Sequence, residues 1–162
     1  METVNALKTV AELMILSAKT APKALGKNTL VAKIASEKEK KRIIVGMESI
    51  EKKNYDRDAK TLKKAEMLVL IGVKPVDIGE TLEGVIDASE IERQLKGKVC
   101  PTRLIDLGIA IGSAVKTASF HNVDNRVMWR AGVIAASLGI LEGAIVIAIP
   151  LSATEKSVFF DR

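Results

Sequence analysis

The chain has 162 residues, of which 48% are hydrophobic and 28% charged, so we expect one globular domain over residues 1–162 and exclude a disordered chain. The net charge of +5 lies in residues 1–81, where basic residues are mixed with acidic ones. Such a mixture is typical of a solvated helix face. With only 3% aromatic residues, it argues against a nucleic-acid partner. The single cysteine excludes an intramolecular disulfide bond, and the first residues lack the basic segment and apolar block of a signal peptide, so we expect a cytoplasmic location.

The first third of the chain predicts a helix, a loop and a strand. Apolar residues at helical spacing predict a helix over residues 3–19. Pro22 ends this helix, because the residue before a proline is displaced from helical backbone angles. Residues 22–28 predict a polar loop, and residues 29–34 predict a strand.

A charged helix is expected next, over residues 36–52. Ser36 and Glu39 have the spacing of a capping box, which closes the first turn of a helix. A short helix is predicted from Asp58. The continuous apolar run over residues 67–73 has the length of a strand, so it predicts a central strand that is buried on both faces.

The middle of the chain contains a long stretch of small and apolar residues. Residues 74–98 are irregular and predict a loop with a short helix over residues 88–95. A central helix begins at Pro101, since proline favours the first helical position. We expect this helix to be buried on more than one side.

The last third predicts a helix and a strand. The helix is expected to run to Leu138, with Asn122 or Asp124 as its N-cap. A buried strand follows over residues 144–149, and Pro150 is expected to end it. The order of elements indicates an α+β or α/β domain in which a small mixed sheet packs against the buried central helix.

One segment has the hydropathy of a membrane span, because residues 131–150 contain Glu142 as their only charge. Gly139 and Gly143 divide this segment into pieces that are too short to cross a bilayer. We therefore predict a helix, a turn and a strand, with Gly139 as the residue that follows the helix.

Two glycines lie inside the central helix, and each costs about 1 kcal/mol relative to alanine. Gly108 and Gly112 are four residues apart and share one face. We expect close packing of a neighbouring helix or strand; a second copy of the same helix and a flat ligand are the alternatives. Asp106 and Lys116 are the only charges between residues 104 and 119, so each is expected to find a partner or to lie at an edge.

The residues that could carry chemistry form no established pattern. Cys100 precedes Pro101, where the helix N-terminus would favour a thiolate, but most single cysteines are small buried residues. His121 lies at the other end of the helix, about 30 Å away at 1.5 Å per residue, so a Cys–His pair is excluded and a surface or capping role is expected. Lys23 and Lys27 give the first loop only a weak phosphate-binding pattern.

Six segments of the chain form a specific set of motifs: residues 18–22, 70–73, 106–118, 122–126, 149–153 and 159–162. Together they cover nearly the whole chain and resemble a known family, the prokaryotic ferredoxin-domain-containing proteins of unknown function. The family is named for a cysteine cluster that is expected to hold an iron–sulfur centre after residue 73. This chain has only Cys100 at such a position, and a cluster needs several thiolates. The resemblance therefore implies a member that has lost its cluster, with Cys100 as a leftover ligand position and no metal.

The order of elements is also similar to that of small flavin-dependent nitroreductases, which implies a nitroreductase-like fold. Those proteins are entwined homodimers with flavin mononucleotide (FMN) at the interface, along a central helix. The resemblance implies a homodimer through the Gly108/Gly112 helix, and FMN as a possible cofactor. The implied cofactor-binding residues are Lys19, Thr20, Pro22, Asn28, Gly112, Ser113, Lys116 and Arg126. The arginine-rich N-terminal phosphate motif of nitroreductases is absent, because residues 1–8 contain no arginine.

Two functional hypotheses follow from these resemblances. The first is a flavin-dependent oxidoreductase, with the isoalloxazine ring beside residues 20–28 and 112–116. The second is a dimeric interaction module that has no cofactor and works through a partner. Neither hypothesis identifies a catalytic residue, a substrate or an electron-transfer partner.

Overall fold

The computed structural model of the chain describes residues 2–74, 101–143 and 145–159. The helices are α1 (Glu2–Thr20), α2 (Glu37–Glu48), α3 (Lys53–Lys63), α4 (Pro101–Phe120) and α5 (Trp129–Ser137). The strands are β1 (Leu30–Ile34), β2 (Met67–Val73), β3 (Asp124–Asn125) and β4 (Ile145–Ser152). A single 3-10 turn, Ala24–Gly26, connects α1 to β1. The helix predicted over residues 88–95 lies outside the described residues.

The four strands form one sheet in the order β1-β2-β4-β3. Every pairing between them is antiparallel, so the predicted mixed sheet is wrong for the described strands. An apolar run carries no information on strand direction, which is why the sequence pattern could not decide this point. In the ladder, Val73 lies opposite Leu30 and Ile145 at one end of the sheet, and Met67 lies opposite Leu151 at the other.

Helices cover both faces of the sheet and create two hydrophobic cores. Alternate residues of β2 point to opposite faces, so Val69 and Ile71 pack beneath α1 and α4, whereas Leu68 and Leu70 pack against α2, α3 and α5. Residues 68–73 are all buried, which confirms the prediction that β2 is covered on both faces. The architecture is therefore a helix–sheet–helix sandwich.

The predicted capping box at the start of α2 is confirmed. The Ser36 hydroxyl accepts a hydrogen bond from the Glu39 N–H at 3.3 Å, and the Ser36 N–H donates to Glu39 Oε2 at 2.8 Å. Lys33 Nζ also donates to Glu39 Oε1, at 2.7 Å. The hydrogen bond from Lys33 and the bond from the Ser36 N–H lower the pKa of Glu39 from 4.5 to about 2.

The predicted start of the last helix is wrong. Neither Asn122 nor Asp124 caps α5, whose N-cap is Met128. Asp124 instead belongs to β3, and its carboxylate accepts hydrogen bonds from the Val158 N–H and the Ser157 hydroxyl, both at 2.8 Å. The residue that looked like a helix cap therefore holds the tail of the chain against the sheet edge.

Pro150 does not end the last strand, because β4 continues to Ser152. Ala148 and Met128 exchange two backbone hydrogen bonds, so the Ala148 nitrogen faces Met128. Backbone direction repeats every two residues in a strand, and the Pro150 nitrogen therefore faces the same side of β4. The segment that faces Pro150 on this side is residues 126–127, which lies between β3 and the Met128 bridge and belongs to neither. Since no ladder bond is required at that point, the missing N–H of proline does no harm.

A close approach between α5 and β4 requires a glycine. A Cβ atom on Gly132 would lie 1.9 Å from the backbone oxygen of Val146. Gly139 follows the helix with a φ of +65°, which confirms its predicted position. The division of residues 131–150 into helix, turn and strand is also confirmed, and in the described parts of the chain no helix is long and apolar enough to cross a membrane.

Candidate functional site

The outer face of α4 is the largest departure from the expected burial. The inner face, with Ala110, Ala114 and Ala118, is fully buried against the sheet. On the opposite side, however, Ile105 is 63% exposed and Ile109 is 42% exposed. The described residues therefore bury the central helix against the sheet and α1 and leave its opposite side uncovered, so they do not show the full burial that was expected.

Gly108 and Gly112 lie on this outer face. Among the described residues no atom comes within 4 Å of a Cβ built on either glycine. The expected intrachain packing of another element against these glycines is therefore not what the described structure shows. A second copy and a ligand are the two alternatives that the sequence left open for this face. We call residues Ile105, Gly108, Ile109, Gly112 and Lys116 the outer face of α4.

A polar seam joins α1 to α4 beside this face. Ser17 Oγ lies 3.2 Å from Ser113 Oγ, and Thr117 Oγ1 donates to Ser17 Oγ at 2.8 Å. These contacts make α1 run antiparallel to α4, because residue 17 meets residues 113 and 117 while residue 24 meets residue 106. Leu13 and Leu16 of α1, both exposed, extend the apolar surface next to the seam.

The loop after α1 is attached to α4 by a buried ion pair. Asp106 Oδ1 accepts a hydrogen bond from the Ala24 N–H at 2.9 Å, and Asp106 Oδ2 accepts one from Arg103 Nη1, also at 2.9 Å. Arg103 and Asp106 are both buried, and Arg103 also donates to the Ala24 carbonyl. The prediction that Asp106 finds a partner is confirmed, and the ion pair fixes where the loop leaves α1.

The loop itself has little left to offer a phosphate. The N–H groups of Ala24, Gly26 and Lys27 all donate within the protein, and Lys23 Nζ folds back to the Ala21 carbonyl at 2.8 Å. The weak phosphate-binding pattern predicted for this loop is therefore not supported by its backbone.

Seven of the eight predicted cofactor-binding residues lie along α1, the loop and the outer side of α4. All are exposed except Ser113, which is half-buried in the seam; they are Lys19, Thr20, Pro22, Asn28, Gly112, Ser113 and Lys116. The Lys116 ammonium lies 5.4 Å from the centre of the Phe120 ring, so the predicted partner or edge position of this lysine is confirmed. His121 is exposed, as expected, and Cys100 lies outside the described residues.

Arg126, the eighth residue, lies far from Asn28. It follows β3, at the end of the sheet where Asn125 is opposite Leu151, whereas Asn28 precedes β1 at the opposite end. The register separates the two ends by six residues of β2, or about 20 Å. Arg126 instead approaches Asp58 of α3, with 3.7 Å between Arg126 Nη2 and Asp58 Oδ1.

Sequence reasoning missed the surroundings of Asp58. This carboxylate is only 3% exposed and is also held by Arg57 and Arg130. A buried acid was not expected in a polar helix. The one signal in the sequence was the neighbouring Ala59, a small apolar residue within a polar helix. In the structure Asp58 and Ala59 are both buried.

Comparisons with known proteins identify the family. A protein of Archaeoglobus fulgidus, described as an uncharacterized protein, is 36% identical over 168 residues, which cover 96% of this chain and 91% of that one. A family model described as "Uncharacterized protein containing a ferredoxin domain (DUF2148)" matches residues 96–162. The chain belongs to this ferredoxin-domain family. The resemblance that its motifs suggested is thereby confirmed.

Solved structures show that this family member has the nitroreductase fold. A nitroreductase family protein from Clostridium novyi NT matches with a TM-score of 0.64 and 19% identity, over 95% of this chain and 77% of that one. A nitroreductase with bound FMN from Desulfitobacterium hafniense DCB-2 matches with a TM-score of 0.62 and 14% identity, over 91% and 78%. The FMN-dependent nitroreductase NfnB from Mycobacterium smegmatis, in complex with NADPH, matches with a TM-score of 0.61 and 8% identity, over 94% and 81%. At these identities the likeness establishes the fold alone.

The residues of the outer face suit a flavin. A flat ring needs a surface without protruding side chains, and the two glycines leave that space free of described atoms. The neighbouring Ile109 would supply apolar contact, while the exposed ammonium groups of Lys19 and Lys116 could face a phosphate. One buried hydroxyl near the loop, Thr29 Oγ1, has no hydrogen-bond partner among the described residues. This donor set is compatible with FMN.

Proposed function

We propose that this protein is a flavin-binding redox protein that works as a homodimer. The observation that carries the proposal is the outer face of α4, which is apolar, rich in glycine and left uncovered by the described residues. A nitroreductase with bound FMN and an FMN-dependent nitroreductase share the fold, which supports flavin as the ligand. A bound flavin would supply hydride or electron transfer between a donor and an acceptor.

The second copy of the chain is the proposed occupant of the apolar part of this face. Ile105, Ile109 and Phe120 are exposed along α4, and Leu13 and Leu16 continue the surface on α1. Small residues let two helix backbones approach closely, so an identical helix across a two-fold axis fits a face with two glycines. The homodimer implied by the resemblance to nitroreductases agrees with this arrangement.

The flavin region is proposed to comprise the seven residues that lie together along α1, the loop and α4. Gly112 would leave room for the ring, and Lys19 and Lys116 would attract the phosphate. The loop position is held by the Asp106–Arg103 pair, so these two residues would position the region without touching the ligand. Arg126 is left out of the proposed region, because the register places it about 20 Å from Asn28.

A titration of the flavin-free protein with FMN tests this assignment. Flavin fluorescence should show saturable binding, and Lys116→Gln should raise the dissociation constant about tenfold, the effect of one lost charge-assisted hydrogen bond. Riboflavin, which has no phosphate, should bind the two proteins equally well. Lys53→Gln changes an exposed lysine at the start of α3, beyond the other face of the sheet, and is the matched control. A protein that binds neither flavin refutes the proposed cofactor.

Light scattering after size exclusion tests the homodimer. Ile109→Glu places a charge on the outer face and should produce a monomer, because a buried charge without a partner strongly opposes association. Val45→Glu is the matched control, since Val45 is exposed on α2 on the opposite side of the sheet and should leave the mass unchanged. A native protein with the mass of one chain at all concentrations contradicts the homodimer.

We further propose that the family's iron–sulfur centre is absent from this member. The whole chain contains one cysteine, and a cluster needs several thiolates. Iron analysis of protein purified without oxygen should find no stoichiometric iron. One iron atom or more per chain would refute the proposal and would require ligands other than cysteine.

The alternative function is a dimeric interaction module without a cofactor. The uncovered face favours it as much as it favours a flavin protein, because self-association alone would explain the exposed isoleucines. The two functions separate in the FMN titration: a dimer that binds no flavin supports the module, and a dimer that binds flavin supports the redox protein.

A further inference from the structure

The side chains around Asp58 form an arginine cluster, which we define as Asp58, Arg57, Arg126 and Arg130. Arg130 Nη1 donates to Asp58 Oδ2 at 2.6 Å. Arg57 donates to Asp58 Oδ1 from Nε at 3.2 Å and from Nη2 at 3.1 Å. Arg126 Nη2 lies 3.7 Å from the same oxygen, which is an ion pair but not a hydrogen bond. The carboxylate is buried, and all three guanidinium groups reach solvent at least in part.

The cluster carries more positive charge than its carboxylate can neutralise. Three guanidinium groups face one carboxylate, and within the described residues these arginines have no other acidic partner. Arginine stays protonated at all accessible pH values, so the surplus of two positive charges persists. Arg130 satisfies Oδ2 and Arg57 satisfies Oδ1 of this buried acid, so the positive charge of Arg126 is not needed for the hydrogen bonds of Asp58.

Arg126 has hydrogen-bonding capacity to spare. Its guanidinium carries five N–H donors, yet it makes no hydrogen bond to any described residue. It is three-quarters shielded from solvent, with a side-chain exposure of 24%. The Arg126 guanidinium group lies beside those of Arg57 and Arg130, and no described residue uses its N–H donors. Such a group can bind an oxyanion through two parallel hydrogen bonds.

The start of α5 adds to the positive field. Arg130 is in the first turn of this helix, where no acidic residue occurs, and its N-cap Met128 offers no side-chain acceptor to the first N–H groups. The N-terminus of a helix favours negative charge. The helix end is supporting only; the three guanidinium groups are the main feature.

We propose that the arginine cluster binds the phosphate group of a small ligand. A phosphate monoester carries about two negative charges near neutral pH, which matches the surplus of the cluster. The site is independent of the flavin region, because α3 and α5 pack on the face of the sheet opposite α1 and α4, and the cluster includes none of the seven residues assigned there. The competing explanation is that the three arginines serve only to hold Asp58.

Trp129 makes the proposal easy to test. It is the only tryptophan of the chain, it is 47% exposed, and it lies next to Arg130 at the start of α5. The flavin-free protein is titrated with inorganic phosphate at constant ionic strength, and binding is followed by tryptophan fluorescence and by calorimetry. We expect saturable binding with measurable heat. Sodium acetate at the same ionic strength, which provides a monovalent carboxylate, should not saturate the site.

Two variants distinguish a phosphate site from a purely structural cluster. Arg126→Gln should raise the dissociation constant for phosphate about tenfold or more, while the free energy of unfolding without phosphate stays close to native, since no hydrogen bond of Arg126 is lost. Arg57→Gln, which alters a more exposed member, should weaken binding in the same direction. Arg42→Gln is the matched control: this exposed arginine of α2 contacts only the Leu138 carbonyl, and its removal should leave phosphate binding unchanged.

Several results would overturn the proposal. They are the absence of saturable phosphate binding, equal binding by native protein and Arg126→Gln, or an equal loss in Arg42→Gln. Saturation by acetate with the same affinity would also overturn it, because general charge screening would then explain the signal. None of these results bears on flavin binding, so the two proposals fail separately.

Discussion

Replacing Gly112 by alanine tests whether α4 packs against a second copy of the chain, because the expected change in stability has opposite signs in a monomer and in a dimer. In the single chain the added methyl group has open space, since no described atom lies within 4 Å of its position. Alanine is favoured over glycine inside a helix by about 1 kcal/mol, so an isolated chain should become more stable by that amount. Gly108→Ala should add a similar gain, because the two sites share no described neighbour.

The proposed homodimer reverses the sign of this effect. A methyl group between two closely packed helices costs about 1–3 kcal/mol, so the dimer should dissociate more readily and its apparent stability should fall. Urea unfolding at two protein concentrations about a hundredfold apart distinguishes the cases, because only a dimer gains stability with concentration. Gly132→Ala is the control: its methyl group meets the Val146 backbone of the same chain, so its loss should not depend on concentration. If Gly108→Ala and Gly112→Ala are both stabilising by about 1 kcal/mol at both concentrations, α4 has no partner and the dimer reasoning is refuted.

Three further predictions concern stability within the chain. Gly132→Ala should cost more than about 3 kcal/mol in urea unfolding, because α5 must move away from β4, and a near-native variant would contradict the tight contact. Glu39→Gln should cost about 1 kcal/mol near neutral pH, where the carboxylate caps α2. The folded-state pKa of Glu39 is depressed to about 2, so this difference should persist above pH 4.5 and vanish as the pH falls towards 2; a constant difference would contradict it. Asp106→Asn leaves a buried arginine without its charged partner and should cost about 3 kcal/mol, measured in the same way; a loss below about 1 kcal/mol would show that the pair contributes little.

The parts of the fold that were predictable are those in which local sequence and burial agree. β2 was expected over residues 67–73 and is found there, because a seven-residue apolar run between polar segments has few alternatives. The capping box of Ser36 and Glu39 is equally local, since both partners lie within one helical turn. Such signals need no knowledge of the rest of the chain.

The errors arise where a distant segment decides. Asp124 is a residue type that often caps a helix, but here it pairs with Ser152 of β4. Its carboxylate also accepts hydrogen bonds from Ser157 and Val158 of the tail, so it is held in β3 instead. Pro150 stays within a strand because the chain opposite leaves the ladder at that point. No local pattern contains this information.

The sequence predicted which residues form the candidate site but not which of them are exposed. The small and apolar residues of α4 indicated close packing, but the sequence could not tell which face would meet the sheet and which would remain outside. The same limit applies to Arg126, which stands in sequence near α4 but is carried by β3 to the far end of the sheet. Its partner Asp58 lies on α3, far from it in the sequence.

The two proposed sites share a physical property: each has features that the folding of one chain does not require. Two helix-interior glycines on α4 cost about 2 kcal/mol together, and no contact with a described residue offsets that cost. At Asp58, Arg57 and Arg130 satisfy the two oxygens of the buried carboxylate, and Arg126 adds repulsion between like charges. A sequence that specifies its fold well is expected to break local rules mainly where function demands it. The outer face of α4 and the arginine cluster are such places, one apolar and one charged, at separate positions on the same sheet.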